Sequence, residues 1–164
     1  VTDDAAALAR AADACREVCH YRDVPLVLDG PAAVAERLGL DGVHLTDGAR
    51  SVRATRKALG ADAIVGAFCG TSCHDGMSAG EAGADYIAFG PLARSALTEA
   101  EPADRDLFAW WSEMIELPVV AEGALDTGRV AHLAPVTDFF AIGAEIWRDD
   151  DPVAALRALI APLR

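Results

Sequence analysis

The chain has 164 residues, 52% of them hydrophobic, which is enough for one domain with a substantial core. Twenty-six acidic residues outnumber 14 basic ones and give a formal net charge of −12, so we expect neither nucleic acid nor a membrane surface as a partner. A phosphorylated ligand would need local backbone N–H groups, an arginine or a metal to overcome this charge. No apolar run reaches the roughly 18 residues that span a bilayer, and no export signal opens the sequence, so we predict a cytoplasmic protein.

Short apolar runs alternate with amphipathic segments along the whole chain. Six runs predict parallel β-strands covered on both faces, within residues 24–29, 39–45, 60–68, 83–91, 117–123 and 134–143. Seven segments predict helices, at residues 3–19, 31–39, 49–60, 74–83, 104–115, 126–134 and 151–163. Asp126 is placed to cap one of these helices, and Pro31 and Pro152 lie near the first turns of two others. The pattern is one helix followed by six strand–helix units.

A Gly-x-Asp phrase recurs where predicted helices meet predicted strands, at residues 39–41, 60–62 and 83–85. Glycine ends a helix in the left-handed conformation at little cost. The aspartate that follows is expected to form a local hydrogen bond in the turn before the strand. The phrase therefore marks helix-to-strand junctions.

The strand–helix order is compatible with two α/β folds. A six-stranded arc of a parallel barrel has two long open edges, which natural proteins avoid, and the chain opens with Val1 directly before a helix. We therefore expect a strand–helix–strand unit of roughly 30 residues or more before Val1, completing a (β/α)8 TIM barrel. The alternative is a complete six-stranded flavodoxin-like sheet. In both cases residues 1–164 belong to a single domain.

Four cysteines lie in two similar hexamers, CREVCH at residues 15–20 and CGTSCH at residues 69–74. The spacing within each pair is one residue longer than the Cys-x-x-Cys of zinc sites. Cys15 and Cys19 share one face of the predicted first helix. We predict reduced thiols in the core rather than a metal site.

Five segments, in order, resemble the thiamine phosphate synthase family, which includes the related thiazole tautomerases: DVPLVLDG, LGLDGVHL, EAGADYIAFGPL, LPVVAEGAL and FFAIGAEIW. The likeness covers nearly the whole chain. It implies a (β/α)8 TIM barrel, of which this chain would supply the second helix and everything from the third strand to the eighth helix. It also implies a reaction in which the nitrogen of thiazole phosphate displaces pyrophosphate from hydroxymethylpyrimidine pyrophosphate. Mg²⁺ would bridge the leaving group.

The resemblance implies a metal site with two carboxylates. Asp29 matches the family's metal-binding aspartate, and Asp47 could replace the second carboxylate if its loop shifts. Both residues also suit turns, where aspartate commonly forms local hydrogen bonds. The expected cofactor is Mg²⁺, which prefers oxygen ligands.

The loop after FGP corresponds to the family's pyrophosphate-binding loop. Ser95 lies near the position of a family threonine and Thr98 near that of a lysine, so Arg94 is the cation available nearby. We predict Arg94 and Ser95 as the catalytic residues of this loop. Phe68 replaces a serine that contacts substrate in the family.

The family's thiazole phosphate site is built from backbone N–H groups in two loops. The corresponding residues are Gly123 and Ala124 after one strand, and Gly143 and Ala144 after the next. Backbone donors tolerate side-chain changes if the turn geometry is kept. Glu122 is unfavourable here, because a carboxylate next to a bound phosphate would repel it.

Three functions follow from the resemblance. The first is a synthase acting on phosphorylated small molecules. The second is a catalytically silent paralogue that binds a phosphate ester or a partner protein, favoured by the missing lysine, Phe68 and Glu122. The third is a thiazole tautomerase using Glu122 or His44 for proton transfer, although His44 is otherwise expected to be a satisfied core histidine. The sequence leaves a homodimer open.

Overall fold

A computed structural model of the chain describes residues 4–94 and 101–164. The six strands are β1 (Val27–Asp29), β2 (Gly42–Leu45), β3 (Ile64–Phe68), β4 (Tyr86–Phe89), β5 (Val119–Glu122) and β6 (Phe139–Ala141). The helices in the same residues are α1 (Ala5–Tyr21), α2 (Ala32–Leu38), α3 (Val52–Leu59), α4 (Cys73–Ala82), α5 (Arg105–Met114), α6 (Thr127–Leu133), α7 (Ala144–Trp147) and α8 (Pro152–Leu159). Short 3₁₀ turns cover Ala134–Val136 and Ala161–Leu163. None of the described helices has the length and apolar character needed to cross a membrane.

The six strands form one parallel sheet in which spatial order equals chain order, β1-β2-β3-β4-β5-β6. A doubly wound sheet reverses direction at a switch point, whereas a barrel wall adds each strand beside the previous one. The flavodoxin-like alternative is therefore wrong. The architecture is a six-stranded parallel half-barrel of the α/β class, with helices on its outer face.

The sheet has an apolar outer face that packs against the helices. Buried strand residues such as Val43, Ile87 and Phe89 join one core with residues of the helices. Phe89 meets Phe108 and Trp111 of α5 edge-to-face, with ring centroids 5.9 and 5.1 Å apart. The alternating strand residues face the inside of the half-barrel.

Aspartates at the strand entrances join neighbouring strands. Asp41, just before β2, accepts a hydrogen bond from the Leu26 N–H at 2.7 Å, and Asp85, before β4, accepts one from Val65 at 2.7 Å. Asp138, before β6, accepts from Val119 at 2.8 Å. The expected local turn bond is wrong for Asp41 and Asp85, because each carboxylate reaches the start of the preceding strand, as that of Asp138 also does. The Gly-x-Asp junction thus holds adjacent strands in register.

Arg56 of α3 joins two such junctions at the amino ends of the strands. Its guanidinium donates to the carbonyl of Gly83 at 3.0 and 2.8 Å, and to that of Ala63 at 2.5 Å. It also pairs with Asp85, the residue that accepts from Val65. The Arg56 side chain is 20% exposed and that of Asp85 is 46% exposed, so the network is only partly shielded from water.

The four cysteines are free, and they differ in exposure. Cys69 is buried, and burial, with a smaller contribution from the charge of Asp75, raises the pKa of its thiol to about 12. Cys15 is exposed on α1, so its prediction as a core thiol is wrong. The reason is that α1 buries only Ala12 among its residues.

Candidate active site

The carboxyl ends of parallel strands lie at one edge of a sheet, and the predicted site residues follow these ends. Asp29 ends β1, and Arg94 lies in the loop after β4, just past the cis peptide bond between Gly90 and Pro91. Gly123 and Gly143 follow β5 and β6. Ser95, like Thr98, lies outside the described residues. The predicted residues that the structure describes therefore share one rim of the half-barrel.

The two predicted phosphate-binding loops are joined by a carboxylate that the sequence did not indicate. Glu145 Oε1 accepts a hydrogen bond from the Leu125 N–H at 3.0 Å, and its Oε2 accepts one from Gly143 at 2.8 Å. Gly123 and Ala124 have positive φ values of 82° and 58°, and this consecutive left-handed backbone shapes the first loop. We call the backbone donors of residues 123–125 and 143–145 the anion cradle.

The protonation of Glu145 follows from its partners. Partial burial acts to raise the pKa of its carboxyl, but hydrogen bonds from the backbone N–H groups outweigh this effect and lower the pKa below its ordinary value. The donors are residues Glu145, Gly143, Leu125 and Ala124. At neutral pH the anion cradle therefore holds a negative charge supplied by the chain itself.

A cavity of about 470 Å³ adjoins the anion cradle and is lined by Arg94, Arg148, Ala124, Ala144 and Glu145, among others. The Arg94 guanidinium forms an ion pair with Glu101, and both side chains are 72% exposed. The Arg148 guanidinium makes no ion pair or hydrogen bond with the residues that the structure describes, and only the backbone N–H of Arg148 donates, to the Ile146 carbonyl. The cavity thus brings Arg94 together with a second cation, Arg148. Sequence analysis missed Arg148 as a site residue because it directly precedes three aspartates, which made this segment resemble a solvated acidic turn.

The two predicted metal ligands have different surroundings. Asp29 is exposed at the end of β1. Asp47 Oδ2 accepts a hydrogen bond from Ser51 Oγ at 2.6 Å, and Asp47 lines a depression together with Phe68 and Asp75. Asp47 thus makes a local hydrogen bond of the kind that its alternative interpretation as a turn residue predicts.

Neither predicted metal ligand, Asp29 or Asp47, belongs to a preformed metal cage among the described residues. Within residues 4–94 and 101–164, no group of three or more histidine, cysteine, aspartate or glutamate side chains could hold a metal. Mg²⁺ keeps several water ligands and commonly uses one or two carboxylates plus substrate phosphates, so a preformed protein cage is not required. Asp29, with its exposed carboxylate, suits this mode of binding better than Asp47.

His44, Tyr86 and Glu122 form a polar cluster inside the half-barrel. His44 Nδ1 lies 2.9 Å from the Tyr86 hydroxyl, and the two rings stack with centroids 5.7 Å apart. His44 Nε2 lies 3.3 Å from Glu122 Oε2, and both atoms are buried without a hydrogen-bond partner among the described residues. The prediction of a satisfied core histidine is thus correct at Nδ1 only.

Gly66 makes room for this cluster. A Cβ atom at Gly66 would lie 2.0 Å from Tyr86 Cζ, so only glycine lets the tyrosine ring lie across β3 toward His44. The three side chains line an interior cavity of about 340 Å³. Glu122 lines this cavity and not the one beside the anion cradle. A phosphate at the cradle would therefore not contact the Glu122 carboxylate directly, contrary to the expected repulsion.

The Tyr86 phenol keeps its proton in the cluster. Burial raises this pKa to about 12, and the charges of Glu122 and Asp85 add to the effect. The phenol is therefore protonated at neutral pH and can donate to His44 Nδ1. When the phenol donates to Nδ1 of a neutral His44, the ring proton lies on Nε2 and faces the Glu122 carboxylate, whereas the other tautomer donates from Nδ1 to the phenol oxygen.

Comparison with known proteins identifies the family. The sequence profile described as thiamine monophosphate synthase matches residues 2–146. A protein from Erythrobacter litoralis named thiamine-phosphate synthase is 38% identical over 150 residues, covering 89% of this chain and 70% of that protein. A protein of the same name from Rhodospirillum centenum is 38% identical over 153 residues, covering 92% of this chain and 74% of that protein.

Solved structures support the fold. The thiamine phosphate pyrophosphorylase from Pyrococcus furiosus superimposes with a TM-score of 0.87 at 20% identity, covering 99% of this chain and 78% of that one. A 3-hexulose-6-phosphate synthase superimposes with a TM-score of 0.69 at 17% identity, covering 91% and 77% of the two chains. From the profile match and the identity to its sequence relatives, the chain belongs to the thiamine monophosphate synthase family.

Proposed function

We propose that this chain carries out the transfer for which its relatives are named. It joins hydroxymethylpyrimidine pyrophosphate and thiazole phosphate, and pyrophosphate is released. The observation that carries the proposal is the anion cradle beside Arg94 and Arg148, at the carboxyl rim of a barrel wall of this family. In the complete (β/α)8 barrel, the described strands would be the third to the eighth.

The thiazole phosphate binds at the anion cradle. Gly123, Ala124, Gly143 and Ala144 supply the loop backbone, and the N–H groups of Leu125 and Gly143 already point to a common anion. Arg148 adds a cation on the same cavity. Backbone donors and a guanidinium together offset the negative charge of the rest of the protein.

Arg94 and Ser95 receive the pyrophosphate, and Asp29, assisted by Asp47, would hold Mg²⁺. The metal would neutralise charge on the departing pyrophosphate. The ring nitrogen of the thiazole forms a bond to the methylene carbon of the pyrimidine as the bond from that carbon to the pyrophosphate oxygen breaks. The electron pair leaves with pyrophosphate, so cations at this rim lower the barrier.

Replacing Asp29 by alanine is expected to reduce Mg²⁺-dependent pyrophosphate release by about tenfold to hundredfold, because an exposed ligand of the metal is lost. The measurement uses the full-length protein with both substrates, with and without Mg²⁺. Asp62→Ala is the matched control, since Asp62 is also exposed but precedes β3 at the opposite end of the strands. Equal activity of the Asp29 and Asp62 variants would exclude Asp29 as a metal ligand. No release by a folded wild-type protein, with stabilisation by thiazole phosphate, would instead indicate the silent paralogue.

A thiazole tautomerase is the second candidate, and the contact between His44 and Glu122 favours it. An imidazole whose Nε2 lies 3.3 Å from a carboxylate, both in a cavity, can give and accept a proton. We expect a tautomerase to aromatise a thiazole tautomer without any pyrimidine, and His44→Gln to abolish that reaction. Aromatisation that proceeds equally in the variant would remove His44 from the chemistry.

A further inference from the structure

We propose that Glu145 determines how strongly this enzyme selects phosphorylated thiazole, because its carboxylate fills the anion cradle and competes with the substrate phosphate. The inference rests on the proposed function in one respect, namely that the thiazole phosphate binds at this cradle. It adds a residue that opposes binding and that must move before the phosphate can enter.

The competition follows from the hydrogen bonds. Glu145 Oε1 takes the N–H of Leu125 after β5, and Oε2 takes the N–H of Gly143 after β6, so one carboxylate spans the two loops. Each backbone N–H has a single hydrogen to donate. A phosphate oxygen can use these donors only when the carboxylate leaves them, and two anions at the same donors also repel each other.

The cavity also contains what a displacing phosphate requires. Arg94 and Arg148 line it together with Glu145, and since Arg94 is paired with Glu101, the Arg148 guanidinium is the cation left to receive a phosphate. Glu145 is only partly buried and can turn toward solvent. The carboxylate is therefore a displaceable occupant, and its displacement reduces the affinity gained from the phosphate.

Competition by Glu145 reduces the selectivity of the protein for thiazole phosphate over the unphosphorylated thiazole alcohol. An unphosphorylated thiazole alcohol does not need the donors of the anion cradle and leaves Glu145 in place. A thiazole phosphate gains the arginines and the donors but must remove the carboxylate. We therefore expect the wild-type protein to distinguish the two compounds less well than a variant without the Glu145 charge.

The experiment compares full-length wild type with Glu145→Gln and Glu145→Ala by calorimetric titration with thiazole phosphate, with the unphosphorylated thiazole alcohol and with inorganic phosphate. Glu113→Gln is the control, because it removes one exposed charge on α5 away from the cradle. We expect both Glu145 variants to bind thiazole phosphate and inorganic phosphate on the order of tenfold more tightly. The alcohol should bind as in wild type, and the KM for thiazole phosphate should fall in parallel.

A purely structural role of Glu145 predicts a different result. If the carboxylate only ties the two loops together, its loss lowers the melting temperature and weakens all three ligands alike. Unchanged or weaker phosphate binding by folded Glu145→Gln would overturn the proposal, and this variant decides the matter if Glu145→Ala does not fold.

Failure of the proposed function gives a separate signature. Wild-type protein that releases no pyrophosphate, while Glu145→Gln binds thiazole phosphate more tightly than wild type, would end the synthase proposal and support the competition. Pyrophosphate release with no effect of Glu145→Gln on phosphate affinity would do the reverse.

Discussion

Replacing Arg56 by methionine is expected to lower the free energy of unfolding by about 2 kcal/mol. Methionine keeps much of the side-chain length but leaves the carbonyls of Gly83 and Ala63 without their guanidinium donor. It also leaves the Asp85 carboxylate without its counterion, although Asp85 still accepts from Val65. The loss comes mainly from the partly buried carbonyls, because the Asp85 carboxylate is accessible to water.

Urea denaturation of the full-length protein measures the change, and Arg53→Met is the matched control. Arg53 lies on the same helix and is exposed, so its replacement should change stability by no more than about 0.5 kcal/mol. If the two variants are equally stable, the bonds from Arg56 add nothing beyond those that water provides, and the junctions of β3 and β4 are held by the aspartates alone.

The strand positions were predictable because each strand is a short apolar run, and β2, β3 and β4 also follow a glycine that ends a helix. β3 and β4 lie inside the predicted segments 60–68 and 83–91. The order of the strands in space was not predictable from periodicity, since the same runs suit a barrel and a doubly wound sheet. The contacts from Asp41, Asp85 and Asp138 to the preceding strands show which strands are neighbours. These contacts could not be predicted, because an aspartate in a turn looks the same in the sequence whichever strand it bonds.

The candidate site was predictable where function follows from position along the backbone. Gly123, Ala124 and Gly143 were placed together by the resemblance to the family, and the two loops do follow the adjacent strands β5 and β6. Glu145 was missed because its role depends on donors 20 residues earlier in the chain, and no local pattern reports such a contact. The four-residue helix α7 was missed for a related reason, since one turn has too few residues to show a helical period.

Glu122 lies in the interior cluster and not beside the phosphate site, where its place in the sequence had led us to expect it. Glu122 was expected to disturb the phosphate site, because it directly precedes the loop of Gly123 and Ala124. Alternation along β5 instead turns its side chain inward, where it meets His44. A shift of one residue along a strand changes which site a charge acts on, and only the register of the sheet decides it.

Replacing Gly90 by alanine is expected to lower the free energy of unfolding by about 3 kcal/mol and to reduce activity in the fraction that remains folded. A Cβ atom at Gly90 would lie 2.0 Å from the backbone oxygen of Glu122 and 3.4 Å from Phe68 Cε2. The first contact involves backbone on both sides, so no side-chain rotation relieves it, and β4 and β5 must separate. The loops that carry Arg94 and Ala124 follow these two strands and would move with them.

Gly30→Ala provides the control for adding a methyl group in a loop after a strand, because its Cβ would meet only the Leu28 side chain at 3.4 Å. We expect that variant to remain within about 0.5 kcal/mol of wild type. Thermal denaturation gives the stability of both variants, and titration with inorganic phosphate reports on the anion cradle without requiring turnover. A Gly90→Ala protein as stable as wild type, with unchanged phosphate affinity, would show that β4 and β5 can separate without cost and that their close approach does not position the cradle. Loss of stability together with weaker phosphate binding would show that the contact between Gly90 and Glu122 links the packing of the sheet to the geometry of the site.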